Sequence, residues 1–309
     1  MRIGYPCINL SVGCRPTRTI RLANLSWDRL RDVIAGNLAC LERILIWNAE
    51  RGLLFFRITS DLIPLASHPA NNFPWYEEFA PDFARIGQLI RTVGMRISMH
   101  PGQYTLLNSQ RPEVVEAAHR DLAYHARVLD LLGLDQTAKI QIHIGGLYRN
   151  KEASLERFVR EVDRLDPAVR ARLVVENDER FFNLDDCLRV SAKTGLPVLL
   201  DVFHREVNPD ERTLSEALAA AAATWSSGDG PPMVDYSSPL PGGRPGTHAH
   251  TLDENHFIQF LRESRPHNFD LMLEVKDKER SALRALKILT TYGILRERDS
   301  PLSFTQSGT

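Results

Sequence analysis

The sequence is expected to form an α/β fold, a single (β/α)8 TIM barrel, and three features carry that expectation. Eight short apolar runs alternate with eight amphipathic stretches from one end of the chain to the other. Each run with its following stretch has the length of one βα unit, and parallel strands need a crossover of that size. Glycines stand where helices should stop, at Gly94, Gly133 and Gly195.

Taken in order, the first strand is expected at 2–9, followed across an arginine-bearing loop by a helix at 28–51. The strand at 54–59 leads to a helix at 81–93 that Gly94 closes, and the strand at 95–100 to a helix at 112–132 that Gly133 closes. Strands at 139–143 and 173–176 precede helices at 155–165 and 185–194, the latter ended by Gly195. The strand at 198–201 leads to a helix at 213–224 with an alanine-rich core, and a Gly- and Pro-rich loop at 226–232 follows it. The last strands, 233–236 and 271–275, precede helices at 254–263 and 278–290. A second Gly- and Pro-rich segment, 239–247, follows a strand, on the side where a barrel places its functional loops. The barrel is assigned to residues 1–295 and a loose polar tail to 296–309.

Composition narrows the partners. Of 309 residues, 43% are hydrophobic and 25% charged, the balance of an ordinary globular chain. No run approaches the ~18 apolar residues of a membrane span. The opening MRIGYPCINL lacks a signal-peptide core, so a cytoplasmic protein without membrane contact is expected. The net charge of −1 gives no global basic field. Locally, Arg2, Arg15, Arg18 and Arg21 share residues 1–27 with no acidic residue. Set after the first strand, such a loop would rim the barrel mouth and could hold phosphates. Cys7, Cys14, Cys40 and Cys187 form no C-x-x-C and are expected to be buried thiols.

The ends of the strands carry the chemistry, because catalytic groups of a barrel sit at its C-terminal face. They read Asn9, His100, His143, Glu176, Asp201, Asp235 and Glu274, with His204, His248 and His250 close behind. A single histidine at a strand end is more often a hydrogen-bonded rim residue than a ligand. Glu176, Asp201, Asp235 and Glu274 are harder to dismiss, since like charges in one ring cannot all ionise without a cation. Carboxylates and imidazoles converging in this way point to a cluster of divalent metals. His119, His125, His256 and His267 fall on helices or loops and are read as structural, and His68 is kept as an outlying candidate. Gln103 and Tyr104 read either as a turn or as a probe of nucleic acid. Lys276 and Lys278 lie just past Glu274, within reach of a substrate backbone or on the surface.

The strings GYPCINLSVG, SDLIPLASHP, SMHPGQY, VVENDE, DVFHREVNP and LEVKDKE, in this order, resemble the UV damage endonuclease family from Gly4 to about Leu289. The resemblance implies a barrel related to endonuclease IV and a Mn2+-dependent cluster of two or three ions, with Zn2+ or Mg2+ as alternatives. It implies nicking of UV-damaged double-stranded DNA immediately 5′ to pyrimidine dimers and 6–4 photoproducts, with abasic sites also cut. The products would carry a 3′-hydroxyl and a 5′-phosphate, and no obligate protein partner is expected. One ion would take His100, His143 and Glu176. A second would share Glu176 and take Asp201, Asp235 and Glu274, and a third would take His204 and His248 with His250 beside them. Glu176, Glu274 and Asp201 would be catalytic. Gln103 and Tyr104 would probe the lesion, with Tyr5 and Asn9 on DNA near the cut and Lys276 on the backbone. The family pattern on the seventh strand is Lys-x-His, whereas this chain has Met233-Val234-Asp235. A carboxylate there would suit Mn2+ or Mg2+ better than an imidazole would. Two other classes compete: a metal-dependent sugar isomerase on a similar barrel, and a lesion-binding protein without catalysis.

Overall fold

Eight parallel strands pair in chain order, and the last returns to the first to close the barrel. The structure is a computed structural model and describes residues 1–292, so the expected tail at 296–309 lies outside the described residues. The strands are β1 (Ile3–Pro6), β2 (Phe55–Ile58), β3 (Arg96–Met99), β4 (Lys139–His143), β5 (Leu173–Glu176), β6 (Val198–Asp201), β7 (Met233–Tyr236) and β8 (Asp270–Leu273). Around them lie α1 (Trp27–Glu50), α2 (Trp75–Glu78), α3 (Ala80–Val93), α4 (Pro112–Leu131), α5 (Lys151–Asp163) and α6 (Pro167–Arg170). The ring is completed by α7 (Leu184–Thr194), α8 (Val202–Val207), α9 (Leu214–Ala222), α10 (Glu254–Glu263) and α11 (Glu279–Thr291).

Local chemistry explains where the elements begin and end. Gly94 and Gly195 take left-handed backbone at φ 65° and 73° and end α3 and α7, as anticipated. The fifth helix starts at Lys151 and not at 155, because the Asn150 side chain accepts from the Ala153 amide and caps it a turn early. The first strand is shorter than 2–9, since Cys7 turns the chain away at φ 72°. The short helix α8 was not anticipated. The Asp201 carboxylate caps it, accepting from the amide of His204 at 2.7 Å.

Side chains alternate across each strand, so residues two apart share a face. Phe55, Val174, Leu199, Met233 and Met272 form one apolar layer inside the barrel. Two residues further along the same strands stand Arg57, Glu176, Asp201, Asp235 and Glu274. An apolar floor thus lies directly beneath a charged layer. The larger hydrophobic core lies between the strands and the helices.

Two expectations are corrected at this level. Cys14 and Cys40 form a disulfide, their Cα atoms 5.9 Å apart, so they are not thiols; Cys7 and Cys187 are free. The bond ties the arginine-bearing loop to α1, a proximity that spacing in sequence does not reveal. Arg2 is not part of a phosphate-binding rim. It precedes β1 and pairs with Asp270 at the opposite end of the barrel, at 2.9 Å.

That end is held by buried charge. Asp270 accepts from the Arg2 amide at 2.7 Å and from the Arg96 guanidinium at 3.0 Å, and Lys139 pairs with Asp229 at 2.5 Å. Removing one partner of a buried pair leaves an uncompensated charge and costs ~3–5 kcal/mol. Asp270→Ala is therefore expected to lower unfolding stability by about that amount in urea titration. A midpoint equal to wild type would show that Arg96 is held by its carbonyl contacts alone.

Candidate metal centre

Four neighbouring strands deliver the first ligands. His100 directly follows β3, while His143, Glu176 and Asp201 are the last residues of β4, β5 and β6. Glu176 is the hub. Its Oε2 lies 3.3 Å from His100 Nε2 and 3.8 Å from His143 Nε2, and its Oε1 lies 3.6 Å from His204 Nδ1. His204 Nδ1 is also 3.5 Å from Asp201 Oδ2. Among the described residues, two sets of donors fall within 4.8 Å of one another: His100, His143 and Glu176; and Glu176, Asp201 and His204. Both sets contain Glu176.

The surroundings orient these groups. His100 Nδ1 meets the Pro101 carbonyl at 2.9 Å, which turns Nε2 toward Glu176, the usual support of a metal-binding imidazole. The Asn177 side chain donates to the Asp201 carbonyl and accepts from the Asp201 amide, both at 2.9 Å, and so fixes the end of β6. With Asp201 Oδ1 spent on capping α8, Oδ2 is buried without a hydrogen-bond partner, as is His143 Nδ1. An orphaned carboxylate oxygen beside a shared glutamate and three imidazoles is a donor set that fits a divalent cation.

The electrostatics fit the same reading. Burial acts to raise the Glu176 carboxyl, but His143, His100 and His204 outweigh it and hold the group well below the usual carboxylate range. Asp201 moves the other way. Burial pushes it well up, and Glu176, Glu274 and Asp235 add to that against the opposition of His204. His204 is raised to about 9, burial being overcome by Asp201 and Glu176. The layer carries more negative charge than its imidazoles can compensate.

Several anticipated residues fall outside the two donor sets. Asp235 is fully buried but is no member of either donor set: its Oδ2 accepts from Arg57 at 2.5 Å and from Gln141 at 2.8 Å. It is the counter-ion of Arg57 through Oδ2, while its Oδ1 is buried without a hydrogen-bond partner. Arg57 also pairs with Glu274. Burial would raise Glu274, yet Arg57 holds it at about 2. His248 stands near, its ring 6.4 Å from that of His204 and its Nδ1 2.8 Å from the Glu274 carbonyl. His250 is exposed and outside both sets, and His68 is exposed with its ring accepting from the Ala70 amide.

The anticipated DNA contacts divide in the same way. Gln103 and Lys276 are exposed, and Tyr104 is 67% exposed at the mouth. The Tyr104 ring lies over Gly102, where an added Cβ would come within 2.4 Å of it, and Thr105 anchors the turn through Asp121 at 2.7 Å. Tyr5 and Asn9 lie beneath the surface. Both are buried, Asn9 donating to the Tyr5 hydroxyl at 2.7 Å and Tyr5 donating to Asn48 at 2.5 Å. Sequence reasoning missed Arg57, Gln141 and Asn177. Phe181 is 40% exposed on the loop after β5, in a turn whose Phe181 and Arg180 amides donate to Asp178.

Residues 1–303 match the family model of UV-endonuclease UvdE. The chain is 38% identical over 291 residues to a UV DNA damage endonuclease of Clostridium perfringens, covering 94% of this chain and 71% of that one. The crystal structure of SacUVDE superposes with a TM-score of 0.92 at 44% identity, covering 96% of this chain and all of that one. Endonuclease IV from Thermus thermophilus shares the fold, with a TM-score of 0.60 at 18% identity over 95% of this chain and 99% of that one.

Because Glu176 belongs to both donor sets, Glu176→Gln tests the site most economically. The volume is kept and the shared charge is lost. Calorimetric titration with Mn2+ is expected to show affinity falling on the order of 100-fold or more. Unchanged affinity in a folded variant would remove Glu176 from the centre.

Proposed function

From the premise that the chain belongs to the UV-endonuclease UvdE family and is an endonuclease, we propose that it is a Mn2+-dependent enzyme that nicks UV-damaged double-stranded DNA immediately 5′ to the lesion. Pyrimidine dimers, 6–4 photoproducts and abasic sites are its substrates, and the nick leaves a 3′-hydroxyl and a 5′-phosphate. The observation that carries the reading is Glu176, an anionic carboxylate set among His100, His143 and His204 at 3.3–3.8 Å in a barrel mouth. When bound at such a site, divalent ions lower the pKa of a water and offset charge on a phosphate under attack.

The protein's own residues supply the frame for that chemistry. His100, His143 and Glu176 would hold one ion, and Glu176, Asp201 and His204 another, with His248 close to the second. Nitrogen and carboxylate donors in this mixture suit Mn2+, which prefers oxygen but accepts imidazole. Asp201 keeps one oxygen on the α8 amide and turns the other into the site, so it is already oriented before substrate arrives. Glu274, ionised and held by Arg57, lines the opposite side with 21% of its side chain exposed.

Selectivity for damage follows from the cost of deforming DNA. A damaged pair stacks weakly, so bending and unstacking are cheapest there. Tyr104, raised on a fixed turn, and Gln103 beside it would fill the gap that the displaced bases leave, and Lys276 would meet the backbone. The other two classes make different demands: a sugar isomerase has no use for an exposed aromatic at the rim, and a simple lesion binder no use for two donor sets.

The function is tested by incubating the protein with UV-irradiated supercoiled plasmid and Mn2+, with Mg2+ and Zn2+ in parallel. Nicking that depends on irradiation and is fastest with Mn2+ is expected. Retention without nicking would identify a binder, and neither would contradict the assignment. Tyr104→Ala is expected to weaken binding of dimer-containing DNA by ~1–3 kcal/mol per lost base contact while Mn2+ binding stays constant. Equal affinity at matched salt would make the loop a plain turn.

A further inference from the structure

Arg57 brings a guanidinium into the charged layer from β2, a strand that ends in Ile58 and not in an acid or imidazole. Its guanidinium lies inside the barrel, 3% exposed. One nitrogen donates to Asp235 Oδ2 at 2.5 Å and another to Glu274. Gln141 ties this pair to the hub, its amide donating to Asp235 Oδ2 at 2.8 Å and to Glu176 Oε2 at 2.9 Å. We propose that Arg57 is a built-in cation of the catalytic centre: it takes the place between Asp235 and Glu274 that a divalent ion would otherwise need, so the centre holds two ions, both on Glu176, and not three. The inference rests on the metal reading given under Proposed function.

Two observations carry it. First, one guanidinium engages both Asp235 and Glu274, and Asp235 Oδ2 accepts from Gln141 as well, so the space between the two carboxylates is taken by Arg57. Second, neither donor set includes Asp235 or Glu274, although both lie in the same layer as Glu176. A guanidinium does not exchange with solvent ions and does not deprotonate. It fixes Asp235 and Glu274 permanently, as a positioning residue and not as one that touches the reacting atoms.

The test is the number of ions per chain, measured by elemental analysis after equilibrium dialysis of the full chain against Mn2+. Wild type is expected to hold two, and so is Arg57→Lys, which keeps the charge. Arg57→Met is expected to hold three, because Asp235 and Glu274 then need another cation. The double variant Arg57→Met/Asp235→Asn, which removes both charges of the pair, is expected to return to two and keeps the test open if the single variant does not fold. Three ions in wild type, an unchanged two in folded Arg57→Met, or a loss of either ion in the double variant would each overturn the inference. A wild type that holds no ion would overturn the metal reading itself, and this inference with it.

Discussion

Four carboxylates, Glu176, Asp201, Asp235 and Glu274, project from neighbouring strands into one layer of a barrel interior, and the need to compensate them governs the rest of the molecule. At ~4 Å and an effective dielectric of about 20, one like-charged pair costs about 4 kcal/mol. A whole domain is stable by only ~5–15 kcal/mol. A ring of such carboxylates left alone would consume that margin. The structure divides the load. Imidazoles surround Glu176, a guanidinium takes Asp235 and Glu274, and Asp201, pushed up by burial and by its neighbours, is left with an unpartnered oxygen.

The layers above and below follow from strand periodicity. Phe55, Val174, Leu199, Met233 and Met272 fill the interior beneath the charged residues and exclude water from below. Further down, Asp270 with Arg2 and Arg96 holds the far end of the barrel. Above, the loops that leave the strands carry exposed groups on short, hydrogen-bonded turns, Tyr104 after β3 and Phe181 after β5. Stability is built into one end of the barrel and chemistry into the other, the arrangement expected of this architecture.

Much of this was legible because it is chemically loud. Strands β4, β5, β6 and β7 stand where their apolar runs placed them, and His100, His143, Glu176 and Asp201 end strands or follow them directly, as their positions implied. His204 was legible as a neighbour of Asp201 in sequence, but not the helix that brings it there, since α8 depends on a carboxylate cap. Arg57 was hidden inside the run Phe55-Phe56-Arg57-Ile58, which reads as an apolar strand. Parity was the available signal: Arg57 stands two residues past Phe55, just as Glu176 stands two past Val174. With Arg57 unread, the partner of Asp235 was missing from the sequence picture. Tyr5 and Asn9 could not be placed from sequence either, because their burial depends on Asn48 of α1 closing over them. The link from Cys14 to Cys40 likewise depends on how the first loop folds back on α1.

The most direct measurement is a crystal structure of the Mn2+-loaded protein with anomalous scattering recorded at the manganese edge. Two anomalous peaks are expected, one among His100, His143 and Glu176 and one among Glu176, Asp201 and His204, with Arg57 still seated on Asp235 and Glu274. A peak between Asp235 and Glu274, with the Arg57 side chain displaced, would contradict the assignment of charge within the barrel on which everything above depends.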